Sequence, residues 1–519
     1  MTIEFKLART QLPTADIYRH AYELPDHPAL VGETTVTYGE LLQRVQQTAT
    51  RLADVGITRG DRVAIVAGNC VEFPILTYAV NYLGAIIVPV NFRLSVGEIA
   101  YILGNCEPTI VVTDAERSEV TRAAAGSTPV LDLAETTSPG HDPQVPEPVI
   151  CDLHDDRAIM YTSGTTGRPK GAVLSYMNFL SATTNSSISW GYVPGEDSVL
   201  IPSPMFHISA FSVFTTSIAN AVTAIIPPST GFDAAEMLDL MEAHRVTHTF
   251  GVPTQWQMIV DEQRRKSRKL NLRFYNWGAA PATEELLTAL RDTFPDAISQ
   301  AAFGQTETTA SGVSLGHEDS LRKLGSVGKA NRNFAIRIVD AEMNDVPVNE
   351  VGEIVYRGPG VMSRFWNNEE ATAEAFAGGW FHSGDLVRKD EDGFLYVVDR
   401  VKDMIVSGGE NIYCAELENV IAWHPKIAEV SVVGRADHKW GEIPVAIVVP
   451  HDHNEPPTLE EIRDFCEGDL ARYKLPKDLI IQPALPRNGI GKIQKTTLRQ
   501  LVSDRDVDSP QLSSSTPRT

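Results

Sequence analysis

Leu41, Leu42, Val45, Ala49, Leu52 and Val55 recur at the three-and-four spacing of one helix face, and Gly56 follows as a C-terminal stop. Residues 61–66 then read as a short buried strand, and residues 109–113 as another after an intervening helix-like stretch. This order predicts βαβ units carrying a parallel sheet through the opening third of the chain. The most apolar stretches, 79–90 and 211–228, are broken by Asn, Gly or Pro. Both fall short of the ~20 apolar residues a membrane-spanning helix needs, so they read as buried helix and strand, and no transmembrane segment is expected.

The texture changes between 325 and 398, where β-rich runs at 335–339, 352–356 and 394–398 are separated by Gly, Asn and Asp turns. A small, antiparallel, β-barrel-like module is expected there. Another unit begins near Asp403: a helix over 415–423 stopped by Pro425, strands at 430–433 and 445–449, and a helix over 459–470. The fold class is therefore α/β, with a large N-terminal domain of βαβ layers over 1–401 that includes the module. A small α+β C-terminal domain over 402–504 completes it. Residues 505–519, rich in Ser, Thr, Asp and Pro, are expected to be disordered.

With 519 residues the chain is too long for one compact core. A formal charge of −22 argues against a general nucleic-acid partner, which would need a basic footprint. The N-terminus has no apolar signal core. Five cysteines without CxxC spacing disfavour a disulfide framework or zinc ribbon and suit a reduced, cytoplasmic protein. Two zinc-like patterns are set aside: Arg245 replaces the Glu that an H-E-x-x-H site would need between His244 and His248, and His451 and His453 lie in a polar loop. Solvated histidines are expected at both.

The densest local signal is Tyr161-Thr162-Ser163-Gly164-Thr165-Thr166-Gly167-Arg168-Pro169-Lys170-Gly171, which follows an apolar strand candidate. Its glycines let the backbone turn N–H groups toward a phosphate, and its hydroxyls and cations add donors. The bland alternative is a solvated loop. The spacing is not that of a Walker A loop, so a P-loop kinase is disfavoured.

This segment resembles the phosphate-binding signature of the adenylate-forming superfamily of acyl-CoA synthetases, peptide-synthetase adenylation domains and luciferases. Further motifs of that superfamily follow in order. Pro204-Met205-Phe206-His207-Ile208-Ser209 is similar to the acyl-pocket segment, which makes His207 a gate between acyl pocket and thiol tunnel. Gly278-Ala279-Ala280-Pro281 resembles the segment lying along the adenine. In Phe303-Gly304-Gln305-Thr306-Glu307 the resemblance implies a purine face at Phe303, an α-phosphate hydroxyl at Thr306 and a Mg²⁺ ligand at Glu307. Phe303 stands where Tyr is commoner and keeps the aromatic face. His382-Ser383-Gly384-Asp385 resembles the ribose turn, with Asp385 on the hydroxyls and Arg400 opposite. Lys402 matches the hinge position, Gly408, Gly409 and Trp440 match segments beside the CoA pantetheine, and Lys492 matches the C-terminal catalytic lysine.

The resemblance implies ATP, Mg²⁺ and CoA as partners of a small carboxylic acid. ATP would meet Thr162 to Gly167, Lys170, Gly278 to Ala280, Phe303 to Thr306, Asp385, Arg400 and Lys492. His207, Thr306, Glu307 and Lys492 would be catalytic. Amino-acid-activating relatives place an Asp near His207, and this chain has none there. The apolar segments 206–211, 250–251 and 279–280 favour an uncharged fatty, alicyclic or aromatic acid. Loading of a carrier-protein phosphopantetheine stays open beside CoA ligation, as do a non-catalytic nucleotide-binding role and a homodimer.

Overall fold

The computed structural model describes residues 6, 10, 12–140, 145–162, 168–229, 231–407, 410–467, 469–487 and 493–507. The chain divides into two compact units. The first comprises 1–337, 355–383 and 389–396, and the second 338–354, 384–388 and 397–519. The strands Ala335–Val339, Val351–Arg357, Phe381–Lys389 and Leu395–Arg400 each carry residues of both.

In the first unit the predicted helical face is the helix Tyr38–Asp54, opened by a capping box in which Thr37 and Glu40 satisfy each other's backbone N–H groups. Gly56 follows it at φ +93°, a left-handed turn that side chains resist. The apolar run 79–90 splits into the fully packed end of helix Glu72–Tyr82 and the strand Ile86–Pro89. Strand Arg62–Val66 lies parallel to both Ile86–Pro89 and Ile110–Thr113, as the βαβ pattern predicts. One sheet runs in the spatial order 364–365, 170–175, 156–162, 86–89, 62–66, 110–113, 130–132. A second carries 298–303, 274–278, 248–251, 198–200, 223–225 and 28–31 as one parallel block. Its core gathers around Trp256, Leu238, Met241 and Leu290, and parallel strands buried on both faces explain the near-continuous apolar runs.

In the second unit, strands Ile427–Asp437 and Gly441–Pro450 form a long antiparallel pair, and Asp478–Ile481 joins the latter in parallel. Both faces of the pair are covered. Val432, Ala446 and Val448 pack with helices Cys414–Ile421 and Leu459–Cys466, while Val433, Val445 and Ile447 pack with Leu498 and Val502 of the last helix, Lys495–Val507. The strand predicted at 430–433 extends to Asp437, because the ladder continues down to the Asp437–Gly441 turn. The helix predicted over 459–470 stops at Cys466, where Glu467 turns to extended backbone. The final helix carries order to Val507, past the 504 boundary expected for the tail, and residues 508–519 lie outside the described residues.

One expectation is overturned. His248 is not solvated but buried at 1% exposure on strand His248–Gly251, its ring between the Thr247 hydroxyl at 2.8 Å and the Trp190 carbonyl at 2.9 Å. Burial lowers its pKa. The strand, not a helix, sets its surroundings, so the i,i+4 spacing with His244 had no geometric meaning. His244, His451 and His453 are exposed.

Asn178 ties the first sheet to the chain segment that reaches the candidate site. It completes the Ser175 capping box, and its Nδ2 donates to the carbonyls of Pro359 and Val361, each at 2.8 Å. Removing its side chain takes the partner from both carbonyls and from the Ser175 N–H. Asn178→Ala should therefore lower stability by about 2–4 kcal/mol, read as a shifted denaturant midpoint. A loss below about 0.5 kcal/mol would mean water substitutes for the amide.

Candidate active site

Strand Asp156–Thr162 and strand Lys170–Ser175 are antiparallel, with Thr162 opposite Lys170, so residues 163–169 connect two paired strand ends. Ser163, Gly164, Thr165, Thr166 and Gly167 lie outside the described residues. At the root of this hairpin Thr162 Oγ1 donates to Glu307 Oε1 at 3.3 Å. Two motifs separated by 145 residues in the chain thus meet through a hydroxyl and a carboxylate. The Lys170 ammonium stands 5.3 Å from the Phe365 ring centroid.

Glu307 sits in a short 3₁₀ turn, Thr306–Thr308, that follows strand Ile298–Phe303. The turn is fastened locally, since the Gln305 N–H donates to the Thr308 hydroxyl at 3.1 Å, and Gln305 Nε2 donates to the Ser383 carbonyl at 3.3 Å. Thr309 and Ala310 follow in the left-handed region, at φ 52° and 55°. The Met362 N–H donates to the Glu307 carbonyl at 2.7 Å, so the segment clamped by Asn178 also holds this turn. Sequence reading missed Asn178, because a helix-start Asn carries no sign of its distant carbonyl partners.

Gly278 ends strand Phe274–Gly278, paired with Ala302 of the next strand. A side chain there would place its Cβ 2.5 Å from the Ala302 carbonyl oxygen, so the position needs glycine. Ala279 follows at φ 67°, and Ala279, Ala280 and Gly304 are exposed beside half-buried Phe303. A flat, small-residue surface at two adjacent strand ends can accept a planar ring.

His207 is the N-cap of helix Ile208–Ala219, its Nδ1 accepting the Ser209 N–H at 3.3 Å. With Nδ1 an acceptor, the neutral ring carries its proton on Nε2. Phe206 beside it is buried, with Ile208, Ala210 and Phe211.

In the second unit the Arg400 Nε pairs with Asp385 Oδ1 at 3.0 Å, the carboxylate nearly buried and the guanidinium half exposed. Gly384 donates its N–H to Glu353 Oε1 at 2.8 Å and accepts from Val401 N–H at 2.9 Å. Lys402 lies in a turn closed by the Asp403 and Met404 N–H groups on the Arg400 carbonyl. From the last helix Arg499 donates to the Lys402 carbonyl at 3.0 Å and pairs with the buried Asp403. The sequence held no sign of that contact, since Arg499 lies in a polar helix near the chain end. Strands Ile405–Ser407 and Glu410–Ile412 pair antiparallel around Gly408 and Gly409, which lie outside the described residues, as does Lys492. Trp440 is 44% exposed, with the Lys439 ammonium 4.7 Å from its ring and Glu442 accepting the Val406 N–H at 3.0 Å.

Comparison with known proteins agrees in extent with these motifs. The AMP-binding enzyme family matches residues 17–366, and the AMP-binding enzyme C-terminal domain matches 416–492. Long-chain-fatty-acid–CoA ligase FadD13 of Mycobacterium tuberculosis is 36% identical, over 91% of this chain and 94% of that one. Indoleacetate–CoA ligase of Aromatoleum aromaticum is also 36% identical, over 94% of this chain and 97% of its own. Among solved structures, o-succinylbenzoate CoA synthetase (MenE) from Bacillus subtilis bound to its acyl-adenylate intermediate superposes with a TM-score of 0.86 at 32% identity. That match spans 94% of this chain and 98% of the other. A complex of the same enzyme with ATP and magnesium superposes with a TM-score of 0.83 at 32% identity, over 94% and 99% of the two chains. The chain belongs to the AMP-binding enzymes, as an acyl-CoA synthetase of the adenylate-forming superfamily.

Proposed function

We propose that this protein uses ATP to join an uncharged fatty, alicyclic or aromatic acid to CoA through an acyl-adenylate. The observation that carries the nucleotide half is the Thr162–Glu307 contact, which brings the phosphate-loop root and the purine-side turn together. For the acid, segments 203–214, 250–251 and 278–281 contain no Lys or Arg, so a second carboxylate would find no cationic partner in them. Two of the similar ligases, named for a long-chain fatty acid and for indoleacetate, fit this class, whereas o-succinylbenzoate, for which a third is named, carries a second carboxylate. Five free cysteines support a reducing, cytoplasmic setting. Among the described residues no helix is long and apolar enough to cross a membrane.

In the first step a carboxylate oxygen of the acid attacks the α-phosphorus of ATP and pyrophosphate leaves. Two anions must approach, so the residues have to place positive charge and donors where charge gathers. Lys170 and the donors of 163–167 hold the departing pyrophosphate, Thr306 offers its hydroxyl to the α-phosphate, and Lys492 bridges carboxylate and phosphate. The surface at Gly278, Ala279, Ala280, Phe303, Gly304 and Gln305 takes the adenine, and Asp385 with Arg400 takes the ribose. Among the described residues no three His, Cys, Asp or Glu side chains cluster to hold a metal. One carboxylate, Glu307, beside the Thr162 hydroxyl fits a hard cation that takes its other ligands from phosphate and water. Bound there, Mg²⁺ would neutralise phosphate oxygens. In the second step the CoA sulfur attacks the acyl carbon, AMP leaves and the thiol proton passes to solvent. A free thiol with a pKa near ~8.5 already supplies some thiolate at neutral pH. His207 gates the passage between acid and thiol, and Gly408, Gly409 and Trp440 line the pantetheine path. Lys402 is the hinge about which 402–504 turns between the steps.

A panel of fatty, aromatic, dicarboxylic and amino acids, scored for AMP release with and without CoA, tests the substrate class. Uncharged acids should lead with CoA-dependent release; preference for an amino acid, or for a phosphopantetheinylated carrier over CoA, would overturn it. Lys492→Ala should cut adenylation by at least about a hundredfold, as loss of a charge stabiliser in the transition state does. The thiol step on supplied acyl-AMP should stay within a few-fold, and equal losses in both steps would count against alternation. Glu307→Gln should raise the Mg²⁺ concentration needed for half-maximal adenylation on the order of tenfold. An unchanged magnesium curve removes Glu307 from the metal site. Lys402→Pro, which fixes φ near about −65°, should damage the two half-reactions very unequally in a folded protein.

A further inference from the structure

The loop that carries Phe206 and His207 is held from the other sheet of the first unit by one amide. Asn69 follows strand Arg62–Val66 and is 9% exposed. Its Oδ1 accepts the Met205 N–H at 2.8 Å, and its Nδ2 donates to the Ser203 carbonyl at 2.9 Å. Its own N–H donates to the Ser229 hydroxyl at 2.8 Å, beyond strand Thr223–Ile225. The side chain therefore uses both ends on one loop while its backbone is fastened to a third strand end. Only an amide supplies a donor and an acceptor in that order; a carboxylate would turn a lone pair toward the Ser203 carbonyl.

A second path returns from the loop to the neighbour of Asn69. Phe206 packs edge-on against Phe92, with centroids 5.4 Å apart at 85°. The Arg117 guanidinium covers Phe92 at 4.1 Å and pairs with Asp114 Oδ2 at 2.7 Å. That same oxygen accepts the Gly68 N–H at 2.8 Å. The contacts close a ring: Asn69, Met205, Phe206, Phe92, Arg117, Asp114, Gly68. Because His207 donates its N–H to the Pro204 carbonyl at 3.0 Å and caps the next helix, its placement follows from the 203–205 backbone that Asn69 grips.

We propose that Asn69 is a positioning residue for acid binding, fixing the 203–207 loop so that Phe206 and His207 form one wall of the acyl pocket. The inference rests on the reading above that this loop borders the acid. Asn69 does not touch ATP in this account, so its loss should separate the two substrates. A displaced wall costs affinity for the acid, and 1.4 kcal/mol corresponds to tenfold.

Adenylation is measured by pyrophosphate release with acid and ATP varied separately, for the wild type, Asn69→Ala, Asn69→Asp, Asn81→Ala and His207→Ala. Asn81 is the control for general loosening. It is a buried amide of the same unit that holds Arg157 at 3.0 Å and lies in helix Glu72–Tyr82. Asn69→Ala should raise the KM for acid on the order of tenfold and leave the KM for ATP within about twofold. Asn81→Ala should lower Tm without that split. Asn69→Asp should raise the acid KM at least as much as Asn69→Ala at neutral pH, because a carboxylate keeps the acceptor for the Met205 N–H but turns a lone pair toward the Ser203 carbonyl. Unchanged acid KM in the Asn69 variants, with a raised one in His207→Ala, overturns the role of Asn69 alone. Unchanged acid KM in both sets overturns the reading of the loop and this inference with it. Acid and ATP KM rising together, as general loosening would produce, also overturns it.

Discussion

Strands that run parallel end on the same side, and this directional constraint organises the first unit. The segments after 62–66, 86–89, 110–113, 198–200, 223–225, 248–251, 274–278 and 298–303 all leave carboxyl ends of parallel strands. Those segments contain Asn69, Phe92, Asp114, His207, Ser229, Ala279, Ala280 and Glu307. Open α/β sheets bind ligands outside the carboxyl ends of their strands because the loops there converge while the strands hold them rigid. Within each sheet these loops share one edge for that reason, and the two sets meet where Asn69 bonds Ser203, Met205 and Ser229.

Convergence alone leaves loops free to sag, and the structure restrains them with buried polar contacts. Asn178 holds 359–361, whose neighbour Met362 holds the Glu307 turn, and Asn69 holds 203–205 below His207. Each is an asparagine, short enough to stay ordered and equipped with both a donor and an acceptor. Backbone geometry contributes as well: Gly278 lies too close to the Ala302 carbonyl for any side chain, which keeps the adjacent strand ends flat. Such contacts give little net stability compared with the aromatic and aliphatic core around Trp256. They fix where atoms lie, and positions matter more than stability for a reaction between two anions.

The second unit is built on another logic. Its antiparallel pair is covered on both faces, so the functional segments sit at turns and not along one edge. The 400–404 turn is secured by two backbone bonds to the Arg400 carbonyl and by Arg499 from the last helix. Lys402 lies within that turn, so its backbone is held from both sides. The Asp385–Arg400 pair keeps a carboxylate and a guanidinium facing each other in the same unit.

The sequence by itself determined the element types wherever periodicity was strong, as in Tyr38–Asp54 with its Thr37 and Glu40 cap, and the parallel strands of the opening third. It also carried the ordered motifs from Thr162 to Lys492, because phosphate and purine chemistry restricts residue types locally. It could not set the extent of elements whose ends depend on partners, such as strand Ile427–Asp437 or the helix ending at Cys466. Nor could it separate His244 from His248, since exposure is decided by the sheet that covers one and not the other. The meeting of Thr162 with Glu307, the grip of Asn69 on 203–205 and the reach of Arg499 to Lys402 join residues far apart in the chain. Local composition records what a side chain can bond to, and only the tertiary fold decides which distant backbone is brought within its reach.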